Sequence, residues 1–139
     1  MAAITPSVIN LNNIALTIAV DNYEASVSKV ELVPTTPTVT WRGMTPTATY
    51  NVAGSPTWVL NLDFAQDHAT ANSLSLYTQA NAGQIKTVTF KPLKPAVGTA
   101  PMYSIDVLIT PTTIGGAVDS IATASASFSC NGQPVRTVV

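Results

Sequence analysis

Few charges, one cysteine, one histidine and no long apolar run mark this sequence, and each shortage removes a class of function. Charged residues make up 9 % of the 139, and the formal net charge is −1. A nucleic-acid binder draws most of its affinity from phosphate contacts and therefore displays a basic stripe; here no basic cluster exceeds Lys91 and Lys94. Cys130 stands alone, so the chain has no internal disulfide, and its place in an alternating strand suits a small buried apolar residue better than a nucleophile. No window approaches the roughly 18–20 uninterrupted apolar residues of a membrane span. The opening MAAITPSVINLNN lacks the basic start and apolar core of a signal peptide. A soluble chain made in the cytoplasm, without membrane insertion, is the expectation.

Catalytic and metal chemistry lack their usual groupings. His68 lies beside Asp67 and near Asp63, and a base oriented by a carboxylate is conceivable. No serine or cysteine motif, glycine elbow or second histidine accompanies it, and the plainer reading is a polar residue in a loop before a helix. Asp21, Glu24, Glu31, Asp63, Asp67, Asp106 and Asp119 are scattered singly, with no spacing of a calcium loop or zinc site. The IGG at 114–116 joins two strands and is not a phosphate-cradling loop. Neither an enzyme nor a bound cofactor or metal is expected.

What the chain does carry is strand signal. IALTIAV places Ile14, Leu16, Ile18 and Val20 on one face, Asp21 and Asn22 turn the chain, and a second strand over 23–33 with a slip near Ser28 pairs back as a hairpin. TWVLNLDFAQD reads as a central strand with Trp58, Leu60, Leu62 and Phe64 inward. QIKTVTFKP and MYSIDVLITP alternate likewise, the first sending Val88 and Phe90 inward and the breaker-rich KPLKPAVGTAP lying between them. A hairpin turn at Gly115–Gly116 then leads to DSIATASASFSC, and NGQP turns the chain once more. The length suits one domain, residues 1–139, with a single core.

Two segments interrupt this pattern. PTTPTVTWRGMTPTATYNVAGSP, residues 34–56, holds four prolines yet keeps enough β-propensity for short edge strands or one extended arm. Trp41 and Tyr50 argue against disorder. They either fold back as caps on the body or, with Arg42 and Met44, anchor contacts to another subunit. Over 72–82 the spacing predicts a helix: Asn72 or Ser73 caps it, Gly83 stops it, and Leu74, Leu76, Tyr77 and Ala80 form its core face, leaving Ser73, Ser75, Thr78 and Gln79 outward. The fold expected is mainly β, an antiparallel β-sandwich or partly closed barrel flanked by one short helix. Positive mean hydropathy with so little charge further suggests that much of the surface faces protein.

The order of WVLNLDFAQD, NSLSLY…NAG, VTFKP, IGGAVDSIATAS and NGQPV resembles the tail tube (major tail) proteins of long-tailed phages, especially short ones from phages of actinobacteria, and covers most of residues 10–135. The resemblance implies a virion protein whose subunits form hexameric rings stacked into a tail tube. Such a tube holds the tape-measure protein, meets tail terminator and distal tail proteins, and passes double-stranded DNA at ejection without binding it specifically. It implies that arm 34–56 makes the ring-to-ring contact. Many members add a C-terminal immunoglobulin-like domain, which is not expected in this chain. A conduit for DNA gains from a lumen poor in cations; Asn61, Asp63, Asp106, Thr123, Ser125 and Ser127 are the lumen candidates, or else lie on ordinary solvent-facing sides. Another phage β-sandwich protein, such as a decoration, terminator or baseplate component, and an immunoglobulin-like adhesion module are the alternatives.

Overall fold

A computed structural model describes residues 2–6, 8–92 and 101–138. Among them the chain runs through β1 (Ala15–Ile18), β2 (Asp21–Asn22), β3 (Val27–Thr35), β4 (Thr38–Arg42), β5 (Thr49–Ala53), β6 (Thr57–Ala65), α1 (Leu74–Ala80), β7 (Ile85–Lys91), β8 (Pro101–Leu108) and β9 (Thr123–Val138). The stretch KPLKPAVGTAP falls almost wholly outside the described residues. No helix among the described residues is long and apolar enough to cross a membrane.

Seven strands form one antiparallel sheet in the order β2-β1-β7-β8-β9-β6-β3, while β4 and β5 pair only with each other. β9 makes the sheet fold over. Its first part, Thr123–Ser129, pairs with β6, and its second, from Cys130 onward, pairs with β8. The two halves are thereby laid face to face. Leu16, Ile18, Val88, Ile105 and Val107 from one half meet Val30, Leu60, Leu62 and Phe64 from the other, which there includes their cross-strand neighbours Ala124, Ala126 and Phe128 of β9. Strict alternation is what makes this possible, because every second side chain of a strand reaches the same face. The outer strands β2 and β3 do not pair, so the expected sandwich forms without closing into a barrel.

The strand pairing departs from the expected hairpin. β1 pairs with β7, and β3 with β6. Ala19 adopts φ 57°, and the chain turns so tightly there that only Asp21 and Asn22 pair back on β1; Val20 is left 88 % exposed. Tyr23 then enters the core and hands the chain to the opposite half. The slip near Ser28 is a register shift between Val27 and Lys29. Residues 109–122 replace the tight turn expected at Gly115–Gly116: Gln66 holds this long connection, its Nε2 donating to Gly115 O and Thr123 O at 2.8 Å and its Oε1 accepting from Gly115 N at 2.8 Å. NGQP does not end β9 either. Gly132, at φ 82°, and Pro134 lie in an irregular stretch where two β9 residues are gained relative to β8 between Ser104 and Asp106, which bends the strand and lets it continue.

The helix keeps its start and changes its face. Ser73 caps it, its Oγ accepting from Leu76 N at 3.4 Å. The buried positions are Leu74, Ser75 and Thr78, whereas Leu76 is half-exposed and Ala80 exposed. Tyr77 is half-buried against Tyr23, ring centroids 5.9 Å apart. Hydroxyls reach the interior here because each is satisfied: Ser75 Oγ accepts from Asp67 N at 3.3 Å, and Thr78 Oγ1 donates to Ser75 O at 3.0 Å and lies 3.1 Å from Thr112 Oγ1. Leu74→Ala is therefore expected to cost about 3 kcal/mol of stability and Leu76→Ala under about 1 kcal/mol, measured by urea unfolding; equal losses would return Leu76 to the core face.

Tyr23 donates to Asn72 O at 3.0 Å, and its phenol is pushed up to about 12 by burial, then by the charges of Asp21 and Tyr77. The folded chain thus keeps the phenol protonated where the unfolded chain releases it near its ordinary 10.0. That stability is complete below the ordinary value and is lost as pH rises through about 12. Tyr23→Phe is expected to lower stability at pH 7 by about 1 kcal/mol and to flatten the alkaline decline. Parallel alkaline declines in the two proteins would contradict this.

Candidate functional site

Two surfaces stand out, and both grow from alternation. In the ribbon β4–β5, Val39 faces Val52 and Trp41 faces Tyr50 directly across the strands, the two rings 5.8 Å apart at 34°. These four side chains share one face of the ribbon. Thr38, Thr40 and Arg42 share the other with Thr49, Asn51 and Ala53, where Thr40 Oγ1 donates to Asn51 Oδ1 at 2.6 Å. The ribbon is amphipathic in the manner of a half-buried sheet, yet among the described residues nothing covers it: Val39, Trp41, Tyr50 and Val52 are 59–64 % exposed, and Met44 at its tip is fully exposed. Its root is fixed. Gly54 N donates to Pro37 O at 2.7 Å, and a Cβ at Gly54 would come within 2.8 Å of the Pro37 ring. The expected arm is thus a hairpin with an apolar face, and Trp41 and Tyr50 do not fold back as caps. Val39 and Val52 complete that face, and the alternation of TVTW and TYNV carries the signal for them.

The second surface is the outer side of β3, β6 and β9. Ser125 Oγ donates to Asp63 Oδ1 and Ser127 Oγ to Asn61 Oδ1, each at 2.7 Å, and Asn61 Nδ2 donates to Glu31 Oε1 at 3.3 Å. Thr123 completes the row on β9. The cation on this face among the described residues, Lys29, is paired with Glu31 at 3.3 Å. Five of the six lumen candidates are therefore brought to one face, four of them as cross-strand polar pairs and Thr123 opposite Ala65. Asp106 is not. It belongs to β8 in the other half of the sandwich, where it accepts from Thr87 Oγ1 at 2.7 Å and lies opposite Asn131. Alternation along a strand gives inside and outside but not which half of a folded sheet a strand joins.

The remaining chemically capable groups are occupied otherwise. Asp67 Oδ1 accepts from Ala69 N and Thr70 N, at 3.0 and 3.1 Å, and hydrogen bonds from Thr70 and Ala69 hold the carboxyl below its usual range. His68 Nε2 meets Gln66 Oε1 at 3.1 Å and not the Asp67 carboxylate. Cys130 is half-buried against the core, and burial pushes its thiol up.

A recess between the two halves has no counterpart in the sequence patterns. Leu32, Trp58, Phe90, Tyr103, Gln133 and Pro134 line a groove of about 370 Å³ there. It opens beside the root of the arm, since Trp58 pairs with Pro34 just inside the Thr35–Thr57 step. The Trp58 Nε1 is shielded from water and has no acceptor among the described residues. Its walls come from five strands far apart in sequence, so no local pattern announces it.

No protein family matches the sequence, and no curated protein is significantly similar to it.

Proposed function

We propose that this chain is a structural virion protein whose copies assemble as stacked, hexameric rings into the tube of a phage tail. The observation that carries the reading is the uncovered apolar face of the β4–β5 arm. A two-stranded ribbon is marginal by itself in water, and an apolar patch of this kind on a small chain marks a protein contact. The long edge strand β3 offers a second route to assembly, because its outer backbone groups have no partner strand in the sheet. The ladder of Asn61, Asp63, Ser125 and Ser127, with Thr123 beside it, supports the conduit part of the proposal: its four polar groups are paired with one another and, among the described residues, leave no free cation on this face to grip phosphate. Asp106 is set aside from that lining.

Purified protein is expected to give hollow tubes or rings in negative-stain micrographs. Trp41→Asp with Tyr50→Asp should abolish them while shifting monomer stability by under about 1 kcal/mol, because neither residue belongs to the core. Monomers at high concentration in the wild type would overturn the proposal. Rings that never stack would favour a terminator or baseplate component.

The lining is tested separately. Ser125→Lys with Ser127→Lys is expected to leave tubes intact but make them retain short duplex DNA in co-sedimentation, with retention falling steeply as salt rises. Tubes of this variant that ignore DNA at low salt would remove these residues from the lumen.

A further inference from the structure

We infer that the groove lined by Leu32, Trp58, Phe90, Tyr103, Gln133 and Pro134 is the receptor for the apolar face of the arm of a second copy of this chain. The inference rests on the self-assembly proposed above and adds to it the place where the arm docks.

The chain carries two unfinished features that match in chemistry. One is a projecting ribbon with Val39, Trp41, Tyr50 and Val52 bare to solvent and Met44 at the tip. The other is a recess walled by aliphatic and aromatic side chains, with a tryptophan whose N–H lacks an acceptor among the described residues. An arm does not serve its own groove. Its root is clamped where Gly54 meets Pro37, none of its residues lines the recess, and its five-residue strands carry the tip about 17 Å away from that root.

Charge is compatible with this docking: Arg42, the single charge of residues 34–56, lies on the ribbon's polar face, and among the described residues no charged side chain lines the groove, so the contact buries no charge. Size agrees as well. The bare apolar side chains of the ribbon offer roughly 600 Å² per copy, near the ~800 Å² per partner of a stable interface. Arm and groove are different surfaces, so the contact is heterologous: each copy gives an arm and receives one, and the repeat closes as a ring if its rotation allows.

Complementation tests the geometry. Gln133→Trp plugs the groove from an exposed position, and Trp41→Asp with Val52→Asp spoils the arm. By sedimentation velocity each variant alone is expected to associate at least about tenfold more weakly than wild type, whereas an equimolar mixture gives a one-to-one pair that grows no further. Thermal midpoints confirm that both are folded, with Gln133→Phe as the smaller plug if the first lowers the midpoint. If Gln133→Trp assembles like wild type while the arm variant does not, the arm binds elsewhere, to another arm or edge, and the groove assignment falls while the tube reading stands. Folded variants that fail to pair in the mixture would remove the groove assignment in the same way. A wild type that never self-associates overturns both.

Discussion

Everything in this molecule depends on one strand having two partners in succession. β9 hydrogen-bonds to β6 as far as Ser129 and to β8 from Cys130 onward, so the two halves of the sheet are joined by backbone and not only by side chains. The positive φ of Gly132 and the missing N–H of Pro134 follow a few residues later, inside the stretch that pairs with β8. A regular strand of this length would hold both halves in one plane and leave their apolar faces in water. The change of partner lets Ala124, Ala126 and Phe128, beside Phe64, Leu62 and Leu60 in one half, share a core with Val107 of the other. Small alanines beside one phenylalanine let the halves approach closely.

From that arrangement the external surfaces follow. Inward alternation on β6 and β9 forces Asn61, Asp63, Ser125 and Ser127 outward together, and each finds its partner straight across the ladder. Phe90, Tyr103 and Trp58 stand where the halves diverge, and so wall a groove in place of filling a core. The arm leaves between β3 and β6, in register at Thr35 and Thr57, and takes nothing from the core.

Much of this is legible in the sequence because strand periodicity is a local property. Alternation in WVLNLDF, MYSIDVLI and ATASASF marks Leu60, Leu62, Phe64, Ile105, Val107, Ala124, Ala126 and Phe128 as buried, although Trp58 and Tyr103 on the same faces stay half-buried at the groove. Ser73 caps the helix start as expected, whereas Asn81 caps its end and Gly83, at φ 83°, lies two residues beyond. Partner choice is not legible, because it depends on loops. The turn at Ala19 and the crossing at Tyr23 decide that β1 joins β7, and no periodicity reports on them. The helix face escapes periodicity for a related reason. Ser75 and Thr78 look like solvent residues until Asp67 N, in the loop before the helix, and the Thr112 hydroxyl, remote in sequence, give them partners. Asp106 groups with Ser125 and Ser127 on alternation because all three point outward, while the fold of the sheet sets it in the opposite half.

The dual partnership of β9 also sets an order of events during synthesis. The arm is a local hairpin and is complete once Ala53 has left the ribosome. β6 and β8 must wait for β9 before either is finished, and Gln133 and Pro134 of the groove wait with them. A nascent copy thus exposes its apolar ribbon before the walls of its groove are complete. On the proposed assembly, the strand that closes a copy's own fold is also the one that makes it able to receive a neighbour.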